Sequence, residues 1–96
     1  MNRYVLSPRA LADVEDIWNY TAENWGEPQA ELYIRQLQEA IEAVAADPRK
    51  ARSCDDVRPG YRRYPVGSHV LFIRIVDGVV DVVRILHQRM DFMRHL

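Results

Sequence analysis

Apolar residues recur at helical spacing in the first quarter of the chain. The stripe that they form consists of Leu11, Val14, Ile17, Trp18, Thr21 and Trp25. Ser7 is a favourable N-cap, and Pro8 suits the first helical position because its missing N–H would have no partner there. Gly26 suits the position just past a helix end. The pattern predicts a short strand over residues 3–6 and then a helix that begins at Pro8 and ends before Gly26.

The acidic residues of this first helix fall outside the apolar stripe. Asp13, Glu15 and Asp16 lie close together in the sequence and could be mistaken for a metal cluster. Helical spacing turns them away from the stripe, so we expect a solvated helix face there.

A second apolar stripe follows after Pro28. It consists of Ala30, Tyr33, Ile34, Leu37, Ile41 and Val44. Glu31 and Arg35 are four residues apart and are expected to pair on the solvent side. Asp47-Pro48 ends the pattern. Because the turn at Gly26 is so short, the two predicted helices should form an antiparallel hairpin.

The second half of the chain has the alternation and turn residues of β-structure. Residues 49–59 form a polar, arginine-rich stretch without apolar periodicity, which predicts a loop. Predicted strands follow over residues 61–64, 68–76 and 79–87, separated by a Pro65-Val66-Gly67 turn and an Asp77-Gly78 turn. The second turn sets Val76 opposite Val79 and therefore Arg74 opposite Asp81, a favourable cross-strand charge pair.

An unbroken register in this hairpin also assigns side chains to faces. One face is predicted to carry His69, Leu71, Ile73, Ile75, Val80, Val82, Arg84 and Leu86; the other is predicted to carry Val70, Phe72, Val83, Ile85 and His87. Both faces are largely apolar, so each should be covered, and the helical hairpin can cover only one. Residues 90–96 fit one or two turns of terminal helix. The elements together predict an α+β fold with an N-terminal strand, a helical hairpin on a small, mainly antiparallel sheet, and a short C-terminal helix.

Length and composition agree with one small globular domain over residues 1–96. The chain is 48% hydrophobic and 28% charged, which argues against disorder, and its single cysteine, Cys54, rules out an internal disulfide. The longest apolar run, residues 70–73, is far too short to span a membrane, and no signal peptide is recognisable at the start. We therefore expect a cytoplasmic protein.

Charge is distributed unevenly although the net charge is only -1. Residues 1–47 contain 9 acidic and 3 basic residues, whereas residues 48–96 contain 5 acidic and 10 basic residues, all arginine except Lys50. Two interpretations stay open: mutual attraction between two layers of the domain, or a basic functional surface on the second half. A protein that binds nucleic acid by itself would normally be clearly basic, so direct sequence-specific binding is not expected.

The order of these elements, together with a set of short motifs, resembles the ParE toxins of the RelE/ParE superfamily. The motifs are Tyr4-Val5-Leu6-Ser7, Ile17-Trp18-Asn19-Tyr20, Trp25-Gly26 with Gln29-Ala30, Gly60-Tyr61-Arg62-Arg63, Gly67-Ser68-His69-Val70, Arg84-Ile85-Leu86-His87-Gln88-Arg89-Met90-Asp91 and the ending His95-Leu96. The stretch from Arg84 to Asp91 is the most specific of them.

The resemblance implies a toxin of a type II toxin–antitoxin module, encoded beside a ParD-like antitoxin that covers an apolar groove on the helical hairpin. It also implies a poison of DNA gyrase rather than an enzyme. The sequence itself has no phosphate-binding loop, Cys/His zinc spacing or nucleophile elbow, so no cofactor or metal is expected. In this chain the expected antitoxin-binding residues are Trp18, Tyr33 and Leu37, with Trp18 as the anchor. The expected target-binding residues are Arg62, Arg63, Arg84, His87, Arg89, Met90, Asp91 and Arg94.

Two alternatives remain. RelE-type members of the superfamily cleave mRNA on the ribosome, and such chemistry needs a proton donor, a proton acceptor and cations around the phosphate. His69, His87 and the arginines are candidates, but the unbroken register places the two histidines on opposite faces, and RelE's lysine cluster is missing. Each histidine can also be simply a packed residue, and Arg84 can be neutralised by an acid from the helices. The other alternative is a non-toxic, antitoxin-binding relic.

Overall fold

A computed structural model of the chain describes residues 3–96. The elements are β1 (Tyr4–Leu6), α1 (Pro8–Trp25), α2 (Glu27–Ala46), a 3₁₀ turn (Pro48–Lys50), β2 (Arg52–Ser53), β3 (Arg62–Val66), β4 (His69–Val76), β5 (Val79–His87) and α3 (Phe92–His95). The five strands form one sheet in the order β1-β5-β4-β3-β2. β1 runs parallel to β5 and the other neighbours are antiparallel, so the predicted α+β fold is confirmed.

The helical hairpin forms where local chemistry predicts it. The Ser7 hydroxyl accepts the Ala10 N–H at 3.0 Å, which caps α1. Gly26 has φ 92° and ends α1, its N–H donating to the Ala22 carbonyl at 2.9 Å. Asp47 ends α2. The inner stripes of both helices pack on the sheet to form the main core, which includes Ala10, Ile17, Leu37, Ile41, Val44, Leu71, Ile73, Val80, Val82 and Ile85.

The buried face of α1 differs from the predicted stripe. Leu11 and Trp25 are 58% and 64% exposed, whereas Asp13 is buried. Ala10, Asp13, Ile17 and Thr21 are the buried residues of this helix. The prediction that Asp13 faces solvent was therefore wrong, because the carboxylate has a charged partner on the sheet that makes its burial tolerable.

The β4–β5 hairpin follows its predicted register only near the turn. Val76 faces Val79, and Arg74 faces Asp81 with Nε and Oδ2 3.1 Å apart. The register then shifts between Ile73, which faces Val82, and Phe72, which faces Arg84. Val83 is the extra residue of a β-bulge.

Within β5, the bulge exchanges the predicted faces of the residues beyond it, 84–87. Ile85 joins the main core under the helices, and Leu86 lies in a second cluster on the other side of the sheet. His69 stands directly opposite His87, so the predicted separation of the two histidines was wrong. An extra residue in one strand reverses the side-chain alternation, and the predicted register contained none.

The outer face of the sheet, opposite the helices, is covered by the loop between β2 and β3 and by the C-terminal tail, residues 88–96. The second cluster consists of Cys54, Val70, Phe72 and Leu86, with Val57, Tyr61, Phe92 and Leu96 packed on it. Coverage of both faces and a short terminal helix are thus confirmed. The predicted loop over residues 49–59 also contains the 3₁₀ turn and β2, which pairs with β3. β3 runs through Val66, which moves the predicted turn to Gly67-Ser68.

Candidate functional site

A groove of about 580 Å³ lies beside the C-terminal half of β5. β1 pairs with β5 only at Val80, Asp81 and Val82, so among the described strands β5 has no partner on that side farther along. The groove runs between this open edge, α1 and the start of α2. Its walls are Asp13, Asp16, Ile17, Tyr20, Thr21, Trp25, Gln29, Tyr33, Ser68, His69, Arg84, Ile85, Leu86, His87 and Met90.

Ser7, the N-cap of α1, binds the edge of β5 where the pairing with β1 stops. The Ser7 N–H donates to the Val82 carbonyl at 3.0 Å, and the Ser7 hydroxyl donates to the Val83 carbonyl at 2.7 Å. The same hydroxyl caps α1, so one side chain fixes the start of the helix against the bulge.

Asp13 and Arg84 form a two-pronged ion pair at the floor of the groove. Arg84 Nε and Nη2 each donate to one carboxylate oxygen of Asp13 at 2.8 Å, and the Ile85 N–H donates to Asp13 Oδ2 at 2.9 Å. The side chain of Arg84 is only 15% exposed and that of Asp13 only 11%. The hydrogen bonds to Asp13 raise the pKa of Arg84 above its ordinary value. Neutralisation of Arg84 by a helix acid, one of the interpretations above, is confirmed.

Tyr33, His69 and His87 form a polar cluster at one end of the groove. The Tyr33 hydroxyl lies 2.6 Å from His69 Nδ1 and accepts the Ser68 N–H at 3.0 Å. The rings of His69 and His87 are 5.3 Å apart, and the Arg89 N–H donates to His87 Nδ1 at 3.2 Å. Burial, and then the proximity of His87, lowers the pKa of His69, while burial raises the pKa of Tyr33. The cluster therefore favours neutral His69 and Tyr33.

The C-terminal tail is fixed to the rest of the fold at three points. Arg84 Nη1 donates to the His95 carbonyl at 3.1 Å, and Arg58 Nη1 donates to the Leu96 backbone oxygen. The Phe92 ring packs edge-on against Phe72, with 4.8 Å between the ring centroids. The tail therefore lies against the outer face of the sheet, and Arg84 connects it to α1.

The structure brings only some of the predicted target-binding residues together. Arg84, His87, Arg89, Met90, Asp91 and Arg94 lie at the end of β5 and in the tail. Arg63 faces Phe72, which in turn faces Arg84, so Arg63 belongs to the same side of the sheet as α3. Arg62 faces Ile73 of the main core, and its guanidinium donates to the Ala51 carbonyl at 2.8 Å. Arg62 is thus separated from the tail.

The predicted antitoxin-binding residues do not form one patch. Leu37 is 1% exposed and belongs to the main core. Tyr33 lies in the large groove, and Trp18 is half-buried on α1 outside it. Tyr20 and Trp25, whose rings form an exposed edge-on pair 5.9 Å apart, line the groove instead.

Asp13 is a residue of the candidate site that was not predicted from the sequence, although a signal was present. It lies three residues after Ala10 and four before Ile17, so helical spacing places it on the same face as these two apolar positions. An acidic side chain at such a position indicates a buried charged partner.

Within residues 3–96, no group of three or more histidine, cysteine or acidic side chains is arranged to hold a metal ion. None of the helices described is both long and apolar enough to cross a membrane.

Comparison with known proteins decides the family. The family model described as ParE toxin of the type II toxin–antitoxin system parDE matches residues 4–92. The chain belongs to the ParE toxin family. Toxin ParE1 of Mycobacterium tuberculosis is 55% identical over 96 residues, covering 99% of this chain and 98% of that protein. Toxin ParE1 of Caulobacter vibrioides is 46% identical over 97 residues, covering 100% and 99%.

Solved structures share the fold of this ParE-family chain. A chain from the chromosomal ParDE toxin–antitoxin system of P. aeruginosa superposes with a TM-score of 0.80 at 16% identity, covering 91% of this chain and 96% of that one. A chain of the YoeB–YefM toxin–antitoxin complex of Staphylococcus aureus gives a TM-score of 0.57 at 14% identity, covering 92% and 98%. At these identities the likeness concerns the fold alone.

Proposed function

We propose that this ParE-family protein is a cytoplasmic toxin that a ParD-like antitoxin neutralises, and that it poisons DNA gyrase by binding rather than by catalysis. The family supplies the expectation of gyrase and antitoxin. The observation that supports binding rather than catalysis is that Arg84 is already engaged by Asp13. It is the one arginine or lysine among the described groove residues, and Asp13 engages it through two hydrogen bonds. A nuclease would need such a cation free for the phosphate.

The proposed target-binding surface is the tail with its neighbouring arginines. Arg89 and Arg94 are exposed there, and neither has an ion-pair partner within 4.0 Å among the described residues. An exposed arginine without an ion-pair partner is well suited to bind carboxylate or phosphate groups on a partner. Antitoxin binding is assigned to the helical hairpin, with Trp18 as its anchor, so the two surfaces lie on different elements.

The first prediction separates these surfaces. The double variant Arg89→Ala and Arg94→Ala should lose growth arrest while retaining antitoxin capture, because only the tail surface changes. Arg9→Ala with Arg35→Ala is the matched control, since both residues are exposed arginines on the helices. The measurements are growth after induction, gyrase supercoiling with purified components, and antitoxin pull-down. Growth arrest that survives in the tail variant, or that disappears equally in the control, would contradict the assignment.

A second candidate function follows from the polar cluster. His69 and His87 face each other beside Tyr33, an arrangement that contains the groups needed for proton transfer. A ribosome-dependent endoribonuclease would use them on mRNA. His87→Gln cannot titrate, so it should slow a nuclease that relies on His87 by about 100-fold or more, while a gyrase poison should keep much of its toxicity. Gyrase activity and ribosome-bound mRNA, followed in parallel, distinguish the two. A chain inactive in both assays would be the antitoxin-binding relic.

A further inference from the structure

The ion pair of Asp13 and Arg84 does more than neutralise charge. Arg84 uses Nε and Nη2 for Asp13 on α1 and Nη1 for the His95 carbonyl in the tail. A guanidinium presents its five N–H donors in a rigid plane, so fixing one side of the fork also fixes the direction of the other. We propose that Asp13 is a positioning residue that holds the C-terminal tail in place through Arg84.

The tail needs contacts with the rest of the fold, because its own helix is too short to be stable alone. α3 has only four residues, far fewer than an isolated helix needs in water. Phe92 and Leu96 pack on the second cluster, and Arg58 Nη1 donates to the Leu96 backbone oxygen. Arg84 adds a directed hydrogen bond that reaches the last turn of α3.

Asp13 is well placed to control this bond. Its carboxylate also accepts the Ile85 N–H at 2.9 Å, so α1, β5 and Arg84 are joined at one point beside the bulge. The two side chains come from positions 71 residues apart and are both nearly buried. An asparagine at position 13 would offer one neutral acceptor oxygen in place of the two that now accept from Arg84 and the Ile85 N–H. Arg84 would then be held less firmly on α1 and could turn away from the His95 carbonyl.

The proposed link from Asp13 through Arg84 to the tail can be tested without measuring toxicity. Hydrogen exchange is measured on the full-length free protein, in peptides covering residues 88–96, where the Arg94 and Leu96 N–H groups are hydrogen-bonded to Asp91 and Phe92. In Asp13→Asn these amides should exchange about tenfold faster or more, the size expected from losing a hydrogen bond to a charged group. Glu15→Gln is the matched control, because Glu15 is an exposed carboxylate on the same helix that does not line the groove. In the control variant, the same tail amides should exchange within about twofold of their rate in the parent protein.

Two further variants guard against a simple folding defect. Arg84→Lys keeps a positive charge beside Asp13 but lacks the planar fork, so it should remain folded and still release the tail. His95→Ala should leave the tail protected, because the contact is made by the backbone carbonyl. Unchanged tail exchange in folded Asp13→Asn, or in folded Arg84→Lys, would overturn the proposal.

The link from tail position to toxicity rests on the proposed function. Folded Asp13→Asn or Arg84→Lys should lose growth arrest and keep antitoxin capture, while Glu15→Gln should stay toxic. Faster tail exchange with full toxicity would overturn the link. A parent protein that leaves gyrase unaffected would instead contradict the proposed function, and the exchange comparison would still test the tie.

Discussion

Gly67, in the turn before β4, lies against Tyr33, which lines the groove. It has φ 55°, and an added Cβ would lie 2.7 Å from Cε1 and 2.8 Å from the hydroxyl of Tyr33. Gly78 has φ 75° with nothing within 4 Å of its Cβ position. Both sites disfavour a side chain through their backbone, but only Gly67 also meets a neighbour.

The comparison of these two glycines gives a prediction. Gly78→Ala should lower the free energy of unfolding by about 1–2 kcal/mol through backbone strain alone. Gly67→Ala should lower it by about 1–3 kcal/mol more, because the Tyr33 ring must move. Urea unfolding measures both. In a Tyr33→Leu background the difference between the alanine variants should shrink, and equal losses in the parent background would show that Tyr33 imposes no constraint.

His69 makes stability depend on pH. Burial, and then the proximity of His87, lowers its pKa below the ordinary value of 6.5, with Asp13 acting weakly in the opposite direction. Tyr33 is the other titratable group in contact with the ring. Since the unfolded chain binds a proton at this site more readily, the free energy of unfolding should fall as pH drops below about 6.5.

The matching variant is His69→Gln, which cannot titrate. Urea midpoints measured between about pH 7.5 and pH 5.5 should fall less steeply for His69→Gln than for the parent protein. Identical slopes would assign the acid sensitivity to other groups.

At the scale of elements, the sequence predicts those features that local chemistry determines. The Ser7 cap, the Gly26 break and the Asp77-Gly78 turn lie where expected, because each depends on residues only a few positions apart. The register beside the hairpin turn is correct for the same reason.

The features that the hydrophobic pattern missed depend on distant partners. The bulge residue Val83 has its carbonyl bound by the hydroxyl of Ser7, 76 positions away. Asp13 is buried because Arg84 lies across from it in the fold. A hydrophobic pattern assigns an aspartate to solvent and leaves strands unbulged, so it missed the facing histidines and the ion pair, which are the centre of the candidate site.

At the scale of the whole molecule, the unequal charge of the two halves remains largely on the surface. Four ion pairs are found among residues 3–96, and of these only Asp13–Arg84 joins a helix to the sheet. Glu31–Arg35 and Arg74–Asp81 lie within one layer, and Asp47–Arg49 is a local contact at the end of α2. Direct pairing between layers therefore accounts for little of the asymmetry, which favours a basic functional surface on the second half.

A chain of 96 residues buries a modest core, and this one divides it between two faces of the sheet. Leu11, Tyr20, Trp25 and Leu32 remain exposed on the helical hairpin. A partner that covers such residues and binds only the folded state stabilises that state by mass action, by about 2.7 kcal/mol at a concentration 100 times its Kd. For a domain of this size that corresponds to about 10 °C or more in Tm.

We therefore expect the complex with a ParD-like antitoxin to melt well above the free chain, and scanning calorimetry at increasing antitoxin concentrations measures the shift. Trp18→Ala, provided that it folds, should reduce the shift at a given antitoxin concentration, because the proposed anchor is lost. Ile75→Ala is the control, since Ile75 is an exposed apolar residue on β4, outside the helical hairpin. An equal reduction in both variants would remove Trp18 from its place as anchor. A Tm independent of antitoxin concentration would show that the folded chain is not what the antitoxin binds.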